Sequence, residues 1–417
     1  MSRWWPISTA STGWASPASG PTGRRSRPGW RAGARRPPMP RGSKPSFRPA
    51  APIRPARPGR DTGRRWPRAG RPSGPDEPHA STKNRERTTM RILTTMAAAA
   101  ALMAGMASQP SAETLRISTF VPPNHTFNKA LAAWGEELRK ASGGELEVEI
   151  FPAGQLGPPP RQFDLARTGG ADIAVVLHGA TPGRFPLTEL AGLPLVHPSA
   201  GLDSAITSRR LTELAPEFLA EEHAGTRILW MAVTPPLKLH FTRTDPSDLS
   251  AIRGLRLRYA GVVWQKIIEA LGASPVPVPP AETADAMRRG IVDGASFPYE
   301  ATRSFDLAPV TRYSLEPGLA SATFAVVMGD QAWARLKPEH RELIAATTGP
   351  DRAEWYGRMW DESEKEGRQY MLDGGVTIVT MDEAKLAMLR EAFAGIIAEA
   401  RAATGERGQA FLDAYLR

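Results

Sequence analysis

Asp248-Leu249-Ser250-Ala251-Ile252-Arg253-Gly254-Leu255-Arg256-Leu257-Arg258-Tyr259 reads as a tight turn that feeds a short strand. Leu255 and Leu257 fall on one face of that strand and Arg256 and Arg258 on the other, because successive side chains alternate. Further on come Leu271-Gly272-Ala273-Ser274-Pro275-Val276-Pro277-Val278-Pro279 and Arg289-Gly290-Ile291-Val292-Asp293-Gly294. An arginine at a strand end, in a chain of βα units, is placed to meet an anion, and its guanidinium fork matches a carboxylate bidentately. On spacing alone, a strand arginine also serves as a surface residue or the partner of a nearby acid.

On both sides of this stretch strands and helices alternate. Leu115–Phe120 alternates like a strand. Thr126–Ala141 puts Phe127, Leu131, Trp134 and Leu138 on one helical face, and Gly143-Gly144 stops it. Leu146–Ile150 alternates again, a helix is expected over Arg161–Thr168, and Asp172–Leu177 is a continuous apolar run of the kind that is covered on both faces. This order predicts an α/β fold with a doubly wound parallel sheet. A helix over Gly201–Ala220 and a buried strand over Ile228–Val233 come next, and Pro235-Pro236 breaks the chain. A second αβ set fills Leu237–Leu319, with helices at Val262–Leu271 and Ala281–Arg289. Thr323–Met328 returns as a strand. Helix continues after Pro338, interrupted at Gly349-Pro350, then a strand at Val376–Val379 and a last helix from Glu383 to Ala403. Crossings near Pro235 and Ala322 imply two lobes, a hinge and a cleft between them, and such clefts are common ligand sites.

The 417 residues carry a formal charge of +10, which suggests nucleic acid until the charge is located. Of 53 basic and 43 acidic residues, 21 and 4 lie in residues 1–112, which leaves Glu113–Arg417 at −7. A basic groove for nucleic acid has no basis there. Met1–Thr89 holds 16 of the 40 prolines and no apolar period. Two readings stand: a disordered basic tail, or a true start at Met90. The second fits the adjoining segment. Met90-Arg91, the apolar run Ile92–Met106 and the small residues up to Ala112 have the layout of a secretory signal peptide, so export to the periplasm is expected. There is no cysteine, hence no disulfide, thiolate nucleophile or thiolate-bound metal.

No catalytic constellation emerges. The histidines at 79, 125, 178, 197, 223, 240 and 340 form no metal-ligand pair, and no nucleophile elbow or phosphate loop occurs. An enzyme, a metal and a cofactor are therefore not expected. His125 and His178 both come after strands of the first set, at the end where α/β ligands bind. Asp293 reads as a turn cap, and Phe297 and Tyr299 as core or cleft wall.

Several of these stretches resemble the substrate-binding proteins of tripartite ATP-independent periplasmic (TRAP) transporters, the DctP family. Gly143-Gly144-Glu145-Leu146-Glu147-Val148 followed by Pro152-Ala153-Gly154-Gln155-Leu156-Gly157 is similar to one family segment, and Gly170-Ala171-Asp172-Ile173-Ala174 to another. Pro182–Leu187 with Leu193-Pro194 adds a third. The opening stretch, then Leu-Gly-Ala-x-Pro-Val, then Gly-Ile-Val-Asp-Gly, is the strongest match. The resemblance implies two α/β lobes around a cleft with a long bridging helix inside Pro338–Leu372. Residues 113–236 with 323–361 would form lobe I, and 237–322 with 362–417 lobe II. It also implies a monomeric receptor that captures a small organic acid and delivers it to a small and a large integral membrane subunit. A receptor of the same fold serving a sensor is the alternative.

By the same resemblance Arg258 pairs with the ligand carboxylate. The chain departs from the family pattern at Pro158-Pro159-Pro160 and at Ala295-Ser296-Phe297-Pro298. Sugar-acid-binding members carry an asparagine contact where Phe297 stands, and phenylalanine offers no side-chain hydrogen bond. A carboxylate with an apolar or aromatic body is therefore expected. The candidate ligand-binding residues are Arg258, Phe297, Tyr299, His178, His125, Phe120, Trp230 and Tyr259.

Overall fold

The computed structural model of the protein describes residues 112–196, 203–259 and 261–417. The basic leader and the signal-like segment up to residue 111, with His79 and His197, lie outside the described residues. The first αβ set opens with β1 (Glu113–Ser118), α1 (Thr126–Ala141), β2 (Leu146–Phe151), α2 (Gln162–Arg167), β3 (Ile173–Leu177), α3 (Pro186–Glu189), α4 (Ser204–Phe218) and β4 (Thr226–Val233). The second comprises β5 (Leu237–Phe241), β6 (Arg256–Arg258), α5 (Val262–Ala270), β7 (Ser274–Val276), α6 (Thr283–Arg288), β8 (Gly294–Phe297), α7 (Tyr299–Thr302) and β9 (Tyr313–Ala320). The chain then returns through β10 (Thr323–Gly329), α8 (Asp330–Arg335), α9 (Pro338–Ala346), α10 (Pro350–Asp373), β11 (Thr377–Thr380) and α11 (Glu383–Tyr415).

The expected apolar face of α1 is the buried one: Phe127, Leu131, Trp134 and Leu138 are all fully covered. His125 caps its start, where Nδ1 accepts the Phe127 N–H at 3.2 Å, and Gly143 and Gly144 take the positive φ that ends it.

Two sheets result, ordered β2-β1-β3-β10-β4 and β11-β9-β5-β8-β6-β7. They make a two-lobed α/β fold. The sheets are mixed, not purely parallel as the βα alternation predicts. β1, β2 and β3 run parallel, but β10 enters antiparallel between β3 and β4 because it arrives from the other lobe. β9 is a strand in spite of Pro317 and Gly318, whose sequence signal is that of a breaker. Its neighbours explain it: it is paired on one side with β5 and on the other with β11.

The bridging helix is α10. A Cβ on Gly357 would lie 2.4 Å from Ala205 Cα of α4, and one on Gly367 would lie 1.9 Å from the Tyr299 carbonyl oxygen at the start of α7. Each glycine thus lets one lobe touch the helix backbone directly. Between them, Asp361 accepts the N–H groups of Ser204 and Ala205 at 2.9 and 3.1 Å, and Glu364 accepts the Glu300 N–H at 2.8 Å. The helix also carries Tyr356 and Trp360 onto Phe127 (centroids 4.7 and 5.2 Å) and Trp360 onto Phe324 (5.7 Å).

The last helix extends past the expected end at Ala403. Gly405 (φ 58, ψ −148) turns it, and the later residues Phe411, Leu412 and Tyr415 pack with Leu211 and Phe218 of the first lobe, not with the second lobe where the sequence places residues 362–417. The kink frees the apolar end of the chain to reach back across the hinge.

Gly367→Ala tests the bridge. Alanine gains about 1 kcal/mol of intrinsic helix preference, but the clash with the Tyr299 carbonyl cannot be relieved without moving α7. A net loss on the order of 2 kcal/mol is expected in urea unfolding; an unchanged or raised midpoint would refute the packing argument.

Candidate functional site

β6 alternates as the sequence predicts, but the two arginines on its polar face meet different fates. Arg256 is exposed, and Asp293 accepts its Nε, Nη2 and backbone N–H at 3.0, 2.7 and 2.9 Å. The expected turn cap is thus also an ion-pair partner. Arg258, two residues on, is only 2% exposed. Its Nε donates to the Val278 carbonyl at 3.1 Å and its Nη1 to the Ser296 carbonyl at 3.0 Å. The guanidinium lies over the Phe297 ring, 4.3 Å from its centroid.

Among the described residues no carboxylate pairs with Arg258. Burial alone lowers its guanidinium to about 9, so it stays charged at neutral pH. A buried cation without an anion is costly. Its Nη2 has no partner among the described residues, so one edge of the fork is free to donate.

That edge meets a cleft of about 670 Å³ between the lobes. Phe120, Leu177, Gly179 and Pro158–Pro160 line it from the first lobe, and Arg258, Tyr259, Gln265, Val278 and Pro277, Pro279 and Pro280 from the second. Among the described residues, Arg258 is the only lysine or arginine in the lining. A recess of about 50 Å³ shares Phe120, Leu177, Arg258 and Pro280 with the cleft and runs inward between Phe297, Phe305, Phe324, His125 and Glu300. Phe120 and Phe324 stack there with centroids 6.3 Å apart.

The structure brings together Arg258, Phe297, Phe120, Tyr259 and His125 from the expected set. It does not bring in the other three. Trp230 is a core residue, edge-on to Trp134 at 5.6 Å. The chain turns at Pro298, so Tyr299 faces the opposite side of the second lobe, against His240 (5.5 Å) with Lys238 over its ring at 5.0 Å. His178 is fully buried just behind Gly179. His223 Nδ1 donates to the Leu219 carbonyl at 2.9 Å, so its Nε2 accepts from His178 Nε2 at 3.1 Å. His178 Nδ1 then accepts the Thr323 hydroxyl at 3.0 Å. Every ring nitrogen is spent within the lobe, and burial and His223 hold His178 well below the usual histidine range.

Glu300, Phe305, Phe324 and Pro280 are not singled out by the sequence. A glutamate in a short helix after Pro298 carries no local sign of burial. The proline runs on either side of the cleft are visible in the sequence, but their meeting across it is not.

At the rear of the cleft the lobes touch backbone to backbone. Gly261 has φ +90, and a Cβ there would fall 2.8 Å from Gly179 Cα. Glu189 lines this crevice. Burial and the neighbouring Glu222 push its carboxyl up to about 7, with Lys266 opposing.

Residues 117–403 match the family described as bacterial extracellular solute-binding protein, family 7 (DctP). A TRAP solute-binding protein from a marine metagenome, specific for aromatic acid ligands and solved with metahydroxyphenylacetate, is 30% identical. It aligns over 72% of this chain and 96% of its own, with a TM-score of 0.69. A Bordetella bronchiseptica TRAP periplasmic solute-binding protein solved with (R)- and (S)-mandelate is 31% identical over 73% and 97%, with a TM-score of 0.66. A solute-binding protein of Roseobacter denitrificans is 25% identical over 71% of this chain and 91% of its own.

Glu189 gives a pH test. Its folded value of about 7 lies above the ordinary glutamate value of 4.5 that holds in the unfolded chain. The folded state therefore holds the extra proton, and stability is lost as pH rises from about 4.5 through 7. Glu189→Gln should exceed wild type by on the order of 1–2 kcal/mol at pH 8.5 and match it near pH 4.5. Chemical denaturation at both pH values checks this; a gain of equal size at both would contradict it.

Proposed function

Because the chain belongs to family 7 of the bacterial extracellular solute-binding proteins, we propose that it captures a small monocarboxylic acid with an aromatic body in the periplasm. The family is one of extracellular solute-binding proteins, and on this reading the chain binds its ligand for transport without transforming it. The receptor acts as a monomer and hands its ligand to a small and a large integral membrane subunit.

The observation that carries this reading is the buried, acid-free Arg258 lying on Phe297 in the cleft. A carboxylate supplies the missing counter-charge through a charge-assisted bond to the open edge of the fork. Beyond the carboxylate the walls are mostly aromatic and proline-rich, with only a few polar side chains, Tyr259, Gln265 and Glu282 in the cleft and His125, Thr234 and Glu300 in the recess, to meet the many hydroxyls of a sugar acid. The two solved relatives at about 30% identity hold arylacetates, which supports the same class. Contact with both lobes makes ligand binding favour the closed state. His125 lines the recess from the first lobe and Phe297 from the second.

Titration calorimetry with benzoate, mandelate and 3-hydroxyphenylacetate tests the reading. Arg258→Ala should cost about 2–5 kcal/mol of binding, as for loss of one partner of a buried charge pair. Arg258→Lys should also bind weakly because the fork is lost. Arg256→Ala, outside the cleft, should bind like wild type. Equal affinity in wild type and Arg258→Ala would sink the assignment.

A further inference from the structure

Glu300 is the most unusual group in the recess. Its side chain is 2% exposed, and it stands among Phe297, Phe305 and Phe324. No cation bonds to it among the described residues. Its acidic neighbour Glu364 is itself engaged by Lys238 Nζ and by the Glu300 N–H. Across the recess His125 Nε2 lies 3.6 Å from Glu300 Oε1. His125 Nδ1 accepts the Phe127 N–H, so the proton of the neutral ring sits on Nε2 and points at Oε1. Oε1 is thus the oxygen that faces an N–H, across a gap slightly longer than a hydrogen bond. Oε2 is buried and has no hydrogen-bond partner among the described residues.

Such a carboxyl favours its neutral form. Burial, reinforced by Glu364 and opposed by the Thr126 hydroxyl, pushes it well above the usual carboxylate range, while burial drives His125 down to about 3. With Oε1 facing an N–H, the acid proton belongs on Oε2. An orphaned O–H donor inside an aromatic recess is a costly arrangement unless something accepts from it. The recess, about 50 Å³, has room for a small substituent and not for a whole ring, since about 10–15 Å³ already admits a water.

Resting on the aromatic-carboxylate reading, we propose that Glu300 is a specificity-determining residue: its Oε2–H donates to a neutral oxygen substituent on the ligand's ring while Arg258 holds the carboxylate. The site then selects hydroxylated or carbonyl-bearing aromatic acids over their plain counterparts. It selects against dicarboxylates as well, because the recess offers a second carboxylate no cation among its lining side chains other than Arg258.

The test compares hydroxy- and methyl-substituted benzoates and phenylacetates at each ring position by titration calorimetry. Methyl matches hydroxyl in size and lacks its hydrogen bond. In wild type at least one hydroxy isomer should bind about tenfold or more tighter than the methyl isomer at the same position. Glu300→Leu should collapse that ratio to near one, and Glu300→Gln, which keeps a donor, should retain part of it. Thermal melts establish that each variant is folded; if Glu300→Leu is not, the wild-type ratio and Glu300→Gln still decide. No hydroxyl preference in wild type, or an undiminished ratio in Glu300→Leu, overturns the proposal and leaves Glu300 a structural residue of the recess wall. If no aromatic acid binds wild type, or Arg258→Ala binds as well as wild type, the carboxylate reading itself fails and takes this one with it.

Discussion

Everything in this molecule hangs on two strand crossings that are bonded to each other. β4 runs out of the first sheet into β5 of the second, and β9 runs back into β10. β4 pairs with β10 and β5 with β9, so the two crossings form one antiparallel ribbon through both lobes. At the waist the Thr234 N–H donates to the Ala322 carbonyl at 3.0 Å, and the Ala322 N–H donates to Thr234 Oγ1 at 2.9 Å. The ladder can bend there without leaving a backbone group unpaired. A ribbon alone would twist freely. The long helix α10, pressed on one lobe at Gly357 and on the other at Gly367, adds the third strut. The cleft is the space that these struts leave.

Within that frame the site is set by a difference between two arginines on one face of a three-residue strand. Arg256 has Asp293 and is quiet. Arg258 has two backbone carbonyls and an aromatic ring, which orient it without cancelling its charge. An arginine anchored by carbonyls keeps a net positive field at its open edge, and burial leaves that field weakly screened. His240, bonded to the Phe297 carbonyl at 3.1 Å and to Ser314 at 2.8 Å, fixes the residue on whose ring the guanidinium lies.

Much of this is legible in the sequence, for reasons that differ by element. α1, β3 and β4 are clear because one buried face or two impose a strict apolar period. The Asp-Leu…Arg-Leu-Arg segment and its family resemblance locate Arg258 without any knowledge of its contacts. What the chain does not disclose depends on who meets whom across the cleft. Tyr299 and Glu300 are adjacent in sequence, yet Pro298 sends one to the outer side of the lobe and the other into the recess. His178 and His223 are 45 residues apart and satisfy one another in a way no local pattern could signal. Trp230 has the size and position of a cleft wall, and only Trp134 opposite shows it to be core. β10 reads as a strand in sequence, but its antiparallel insertion follows from the direction in which the chain returns.

The proline rim has a consequence of its own. Seven lining residues of the cleft, Pro158, Pro159, Pro160, Pro182, Pro277, Pro279 and Pro280, carry no backbone N–H. Glu282, also in the lining, brings a negative charge. An incoming anion therefore finds at these positions no donor to pause on. Among the described lining residues no cation precedes the guanidinium of Arg258, so the rest of the lining does not compete with the anchor for the same carboxylate. Selectivity here is built partly from omission: at seven positions the lining lacks the backbone group that would let the wrong end of the right molecule, or any passing anion, linger.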